Sequence, residues 1–142
     1  MNEVITKRNF NVPVALLYKA WAQPEHLKNW WGPNGFTNTF YEFDLRPGGK
    51  WRFTMHGADG KNYENESVFE TISQNKQIIF NHISEPKFTA EVSFADNGKN
   101  SSSLIWKMIF PKQEVYQSLK DFIAEKNEEN LNRLETELAK MK

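Results

Sequence analysis

Residues 88–110 read FTAEVSFADNGKNSSSLIWKMIF, and the alternation inside this stretch decides the fold. Successive side chains of a strand point to opposite faces, so Phe88, Ala90, Val92 and Phe94 share one side, as do Leu104, Trp106, Met108 and Phe110. Asn97-Gly98 between the two runs is a turn signal. The stretch therefore predicts an antiparallel hairpin, Phe88–Phe94 with Ser102–Phe110, that is apolar on one face and wet on the other. Working upstream, strands are expected at Phe36–Leu45, Lys50–His56, Tyr63–Ile72 and Gln77–His82. Pro47-Gly48-Gly49, Asp59-Gly60, Gln74-Asn75-Lys76 and Glu85-Pro86 supply the breaks. Short connections imply a meander, and Glu3–Phe10 makes it seven-stranded if it joins.

Helices flank the meander. Pro13 suits a first helical position, with Val14, Leu17, Tyr18 and Trp21 following at helical spacing. Pro24 opens a second short helix whose face is Leu27, Trp30 and Trp31, and Gly32-Pro33 stops it. After Pro111, Lys112 to Lys142 reads as one long helix. Its apolar stripe runs through Val115, Leu119, Phe122 and Ile123 and resumes at Leu131, Leu134, Leu138 and Met141. Lys126, Asn127 and Asn130 interrupt it for two turns. They either line the polar end of a pocket or are solvated where the helix overhangs the sheet.

Composition narrows the function. The 142 residues suit a single domain, 1–142, with a core of its own. Eighteen Lys+Arg balance eighteen Asp+Glu, which argues against a nucleic-acid partner. No apolar run approaches the ~20 residues of a membrane span, and the first residues lack a signal-peptide core, so a cytoplasmic location is expected. The absence of cysteine excludes disulfides, thiol catalysis and Cys-built zinc sites. His26, His56 and His82 have no metal-ligand spacing, so neither metal nor cofactor is expected. Ser101-Ser102-Ser103 lacks a nucleophile elbow, and Pro47-Gly48-Gly49-Lys50 lacks a phosphate-cradling pattern.

Eleven Phe, five Trp and four Tyr concentrate the apolar residues in large rings. A curved sheet gripping one long helix leaves a space that rings such as Trp51, Phe53, Phe88 and Trp106 either fill or leave partly open. The expected cavity walls are Trp51, Phe53, Met55, Trp106, Met108, Phe122 and Ile123, with Trp31 near the mouth and Lys126 beside the pocket. Glu66 depends on register. If Phe53 faces Glu66 across the hairpin, Glu66 is a candidate buried acid. If Phe53 faces Asn65, Glu66 points to solvent, and Tyr63 and Phe69 lie inside.

Two stretches carry a resemblance: Trp30-Trp31-Gly32-Pro33, and EFDLRPGGKWRF from Glu42 to Phe53. Pro13 to Leu27, Met55 to Gly60, Asn65 to Phe69 and Leu131 to Leu134 fit the same pattern. The chain resembles the activator of heat-shock protein 90 ATPase homologues (AHSA-like), within the START-like or SRPBCC superfamily. The resemblance implies an α+β helix-grip fold: a curved seven-stranded antiparallel sheet, two short helices and a long C-terminal helix. It implies a small hydrophobic-molecule binder, lipid- or polyketide-like, with its cavity between the sheet and that helix. It also implies two alternatives. One is a co-chaperone-like interaction module whose partner is a heat-shock protein 90 type ATPase. The other is a cyclase- or hydrolase-type enzyme, for which the resemblance carries over no catalytic set; the acids and imidazoles this chain offers are Glu66 or Glu91 with His56 or His82. Many relatives have Gly in the middle of the last helix where this chain has Lys126.

Overall fold

The computed structural model describes residues 2–142. Ten elements follow one another: β1 (Glu3–Phe10), α1 (Val14–Ala22), α2 (Pro24–Trp30), β2 (Thr37–Phe43), β3 (Lys50–His56), β4 (Asn62–Ser73), β5 (Gln77–His82), β6 (Phe88–Gly98), β7 (Ser101–Ile109) and α3 (Gln113–Met141). The strands form one antiparallel sheet in the order β1-β7-β6-β5-β4-β3-β2. The meander is thus closed on one side by the first strand, which pairs with the last. The element order read from the alternation and the helix-grip arrangement implied by the resemblance are both the ones observed.

Local details differ where turn chemistry decides. The β6–β7 strands run further than the apolar alternation does, to Gly98 and Ser101. The turn itself is made by Lys99 and Asn100, both at positive φ, instead of Asn97-Gly98. Gly98 ends a bulge in which Asp96 Oδ1 accepts its N–H at 2.8 Å, which moves the reversal two residues on. Pro13 is the N-cap of α1 and not its first turn, with its carbonyl accepting from Leu16 and Leu17. Gly49 is obligatory in the β2–β3 connection, since a Cβ there would collide with the Asp44 carbonyl.

The β3–β4 register pairs Phe53 with Asn65 and Trp51 with Ser67. Glu66 therefore sits opposite Arg52 on the outer face, with Lys50 Nζ 3.5 Å from its carboxylate. Phe69 is buried as that register requires, whereas Tyr63 shares the face but remains 45% exposed where the sheet runs past its cover. The core lies between the concave face of the sheet and the helices. Trp21, Trp30, Trp31, Trp51, Trp106 and Phe94 meet there in a chain of edge-to-face and tilted contacts.

α3 is fastened by its second half. Leu131, Leu134 and Leu138 are buried, and Arg8 of β1 reaches Glu128 and Asn132 at 2.8 Å each. Glu137 is buried between α2 and α3, where Asn29 Nδ2 donates to it and His26 Nδ1 lies 3.0 Å away. Arg133 donates to the carbonyls of Asn29, Trp31, Gly32, Pro33 and Phe36, at 2.7 to 3.3 Å. From Gln113 to Lys126, by contrast, no residue of α3 is buried.

Candidate functional site

A chamber of about 230 Å³ lies between the sheet and the middle of α3. Strand alternation builds its floor. Trp51, Phe53 and Met55 come from β3, Asn65 and Ser67 from β4, Phe80 and His82 from β5, Phe88 from β6, and Trp106 and Met108 from β7. Each pair or triple is spaced by two residues, so one face of five adjacent strands supplies the whole surface. The Trp31-Gly32-Pro33 loop closes one side, and Ile123, Lys126, Asn127 and Asn130 form the roof. Gly32 has φ +97°, a conformation that L side chains rarely adopt, and a Cβ there would also press on Phe36 Cβ at 3.0 Å.

Beyond Lys126 the chamber opens into a wider vestibule of about 670 Å³. Phe36, Tyr63 and Phe122 give it aromatic edges, and Asn62, Glu64 and Glu85 give it polar ones. Lys126 lines both spaces. Its Nζ lies 5.5 Å from the Phe122 ring centroid and 3.3 Å from Glu129 Oε2. The Asn34 N–H donates to Glu129 at 3.0 Å and, with Lys126, holds that carboxyl below its ordinary range.

Eight of the nine residues expected around a cavity border this chamber: Trp31, Trp51, Phe53, Met55, Trp106, Met108, Ile123 and Lys126. Phe122 does not. It is 58% exposed and stands at the vestibule edge, because α3 turns it about 100° away from Ile123 and the sheet. The polar interruption of α3 lies over the chamber and does not overhang into solvent. Asn127 and Asn130 are both 5% exposed, and Asn127 Nδ2 faces Thr6 Oγ1 and Met108 Sδ at 3.4 Å.

Asn65, Ser67, Phe80, His82 and Pro86 also line the chamber, beyond the walls expected from the sequence. The fixed register carried the first two as soon as Phe53 was set against Asn65, and His82 ends an alternation through Ile78 and Phe80. The His82 ring stacks on Phe88 with centroids 4.6 Å apart. Its Nδ1 lies 2.8 Å from the Pro86 carbonyl and its Nε2 2.8 Å from Asn65 Oδ1. Burial pulls the imidazole below its ordinary value and outweighs the opposing pull of the Pro86 and Ser84 backbone and of Glu85.

The carboxylate–imidazole pairs considered for catalysis do not meet. Glu66 and Glu91 alternate with buried neighbours and face outward, and His56 is engaged outside the chamber by Thr39 and Asn62. No carboxylate borders the chamber. Among the described residues no group of three or more His, Asp or Glu is placed to hold a metal ion, and no helix is long and apolar enough to cross a membrane.

Known structures share this architecture. A crystal structure of a Nitrosomonas europaea protein superposes with a TM-score of 0.88 at 21% identity, covering 98% of this chain and 95% of that one. A solution structure from Arthrobacter aurescens gives 0.89 at 21% identity over 97% and 86%. The AHSA1 protein of Silicibacter pomeroyi gives 0.80 at 18% identity over 99% of both chains. At such identities the likeness speaks for the fold alone. No curated protein matches the sequence significantly. The profile of the family described as "Activator of Hsp90 ATPase homolog 1-like protein" matches residues 11–139, nearly the whole chain. It is to this family that the chain belongs.

Proposed function

We propose that the protein binds a small, largely apolar molecule in the chamber beneath α3. The observation that carries this reading is an aromatic chamber left unfilled in an otherwise packed interior, with hydrogen-bonding side chains gathered on its α3 and β4–β5 sides. Binding follows from burial of apolar surface against Trp31, Trp51, Phe53, Met55, Trp106, Met108 and Ile123, while Lys126, Asn127 and Asn130 orient the occupant. Phe122 meets it on the way in, at the vestibule.

Backbone amide NMR during titration with sterols, fatty acids, flavonoids and polyketide-like aromatics tests the proposal. Saturable shifts confined to β3–β7, the Trp31 loop and residues 123–130 are expected. If no compound moves those amides, the reading fails. A co-chaperone-like module, acting on a heat-shock protein 90 type ATPase through its exposed surface, then takes its place.

A further inference from the structure

The sequence holds two Asn-Gly steps, Asn34-Gly35 and Asn97-Gly98. Such a step is chemically labile, because glycine has no Cβ to keep its backbone nitrogen away from the preceding side-chain amide. Attack of the glycine nitrogen on the Asn Cγ closes a succinimide ring. The glycine N–H gives up its proton, and the side-chain nitrogen leaves as ammonia. Water then opens the ring at either carbonyl, giving aspartate or an isoaspartyl chain in which the backbone runs through Cβ. The reaction needs a peptide unit free to swing into position and a glycine N–H without another partner.

The two steps sit in opposite settings. Asn97-Gly98 ends β6, where Gly98 is in register with Ser101 and its N–H donates to Asp96 Oδ1 at 2.8 Å. The attacking nitrogen is engaged there, and swinging it would break the bulge. Asn34-Gly35 is the exposed corner of a turn between α2 and β2, closed by the Phe36 N–H on the Pro33 carbonyl at 3.2 Å. Its flanks are clamped, since Arg133 donates to the Pro33 and Phe36 carbonyls and Glu129 accepts the Asn34 N–H. Between them, the Asn34 carbonyl, the Gly35 N–H and the Asn34 side chain make no hydrogen bond among the described residues. The clamp fixes both sides of the turn and leaves the reacting peptide loose.

We propose that Asn34 is a site of spontaneous modification, where loss of the side-chain amide puts a carboxylate on the edge of the vestibule. Asn34 lines that space together with Glu64, Glu85 and Lys126. The new charge is carried by the residue whose N–H Glu129 accepts, so it competes with Glu129 for Lys126. The isoaspartyl product also lengthens the backbone between Pro33 and Phe36, which displaces one carbonyl held by Arg133 relative to the others.

The experiment incubates the full chain in mildly alkaline buffer, with and without urea, and follows both steps by peptide mass spectrometry. In the folded chain Asn34 is expected to convert at least tenfold faster than Asn97, whereas in urea the two should react at similar rates. Conversion should shift the amide NMR signals of residues 29–36 and 126–130. Asn34→Gln, whose longer side chain closes the corresponding ring far more slowly, should abolish both the conversion and the shifts. Asn97 converting as fast as Asn34 in the folded chain overturns the proposal, as does an Asn34 that survives incubation unchanged. The same amide shifts on incubating Asn34→Gln would place the modification elsewhere and overturn it too.

Discussion

The two halves of α3 carry similar apolar stripes and meet opposite surroundings. Residues 127–141 lay Leu131, Leu134 and Leu138 into the core and are tied down by Arg8, Arg133 and the Glu137 cluster. Residues 113–126 bury nothing fully, although Val115, Tyr116 and Ile123 touch the core. The difference lies underneath. The second half meets β1, α1 and α2, whose side chains fill the space, whereas the end of the first half stands over Asn65, Ser67 and His82, which do not. The second half of the stripe builds the fold, and the chamber lies under the junction of the two halves, from Ile123 to Asn130.

The largest effect should come from the anchored half. Leu134→Ala empties a fully buried position and should cost about 2–5 kcal/mol by urea denaturation. Leu119→Ala, on the half that buries nothing, should cost less than about 1 kcal/mol. Equal losses would erase the contrast. Arg133→Met removes charged hydrogen bonds to five carbonyls and should cost about 2–3 kcal/mol, with faster amide hydrogen exchange confined to residues 29–36. Protection unchanged there would show that the loop holds itself.

Acid should probe the chamber side. Burial lowers the folded-state His82 value below its ordinary ~6.5, so the unfolded chain binds the proton more readily. This contribution is complete above pH ~6.5 and is lost as pH falls through that value toward the folded one, with a slope of at most about 1.4 kcal/mol per pH unit. His82→Asn should flatten the pH dependence of stability in that window, and a profile identical to the parent would dismiss His82 as its source. The smallest effect should be Phe122→Ala, within about 0.5 kcal/mol of the parent because the ring is already exposed. A larger loss would place Phe122 back among packed residues.

Most of the fold was legible because each strand announces itself through period-two alternation and each break through Gly, Pro or Asn. What was not legible was geometry that alternation does not encode. Lys99 and Asn100 make the β6–β7 turn although Asn97-Gly98 carries the stronger local signal, because the bulge at Gly98 shifts the reversal. The chamber was readable in part. Trp51, Phe53, Met55, Trp106 and Met108 share the parity of the inner face, whereas the polar break in α3 left Asn127 and Asn130 open between a pocket and solvent. Phe122 and Ile123 are adjacent on one stripe, and only the azimuth of the helix separates an exposed ring from a roof residue. His82 and Ser67 were hidden because a polar residue on an apolar face looks like a strand end until the register is known. Nothing in the sequence singles out Glu137, whose partners in its buried position, His26 and Asn29, lie more than a hundred residues earlier.

Arg133 also couples two parts of the molecule. Its two terminal nitrogens gather five carbonyls of residues 29–36 around one guanidinium, so a single side chain sets the path of that loop. The loop that walls the chamber through Trp31 is thereby fixed by the same half of α3 that packs into the core.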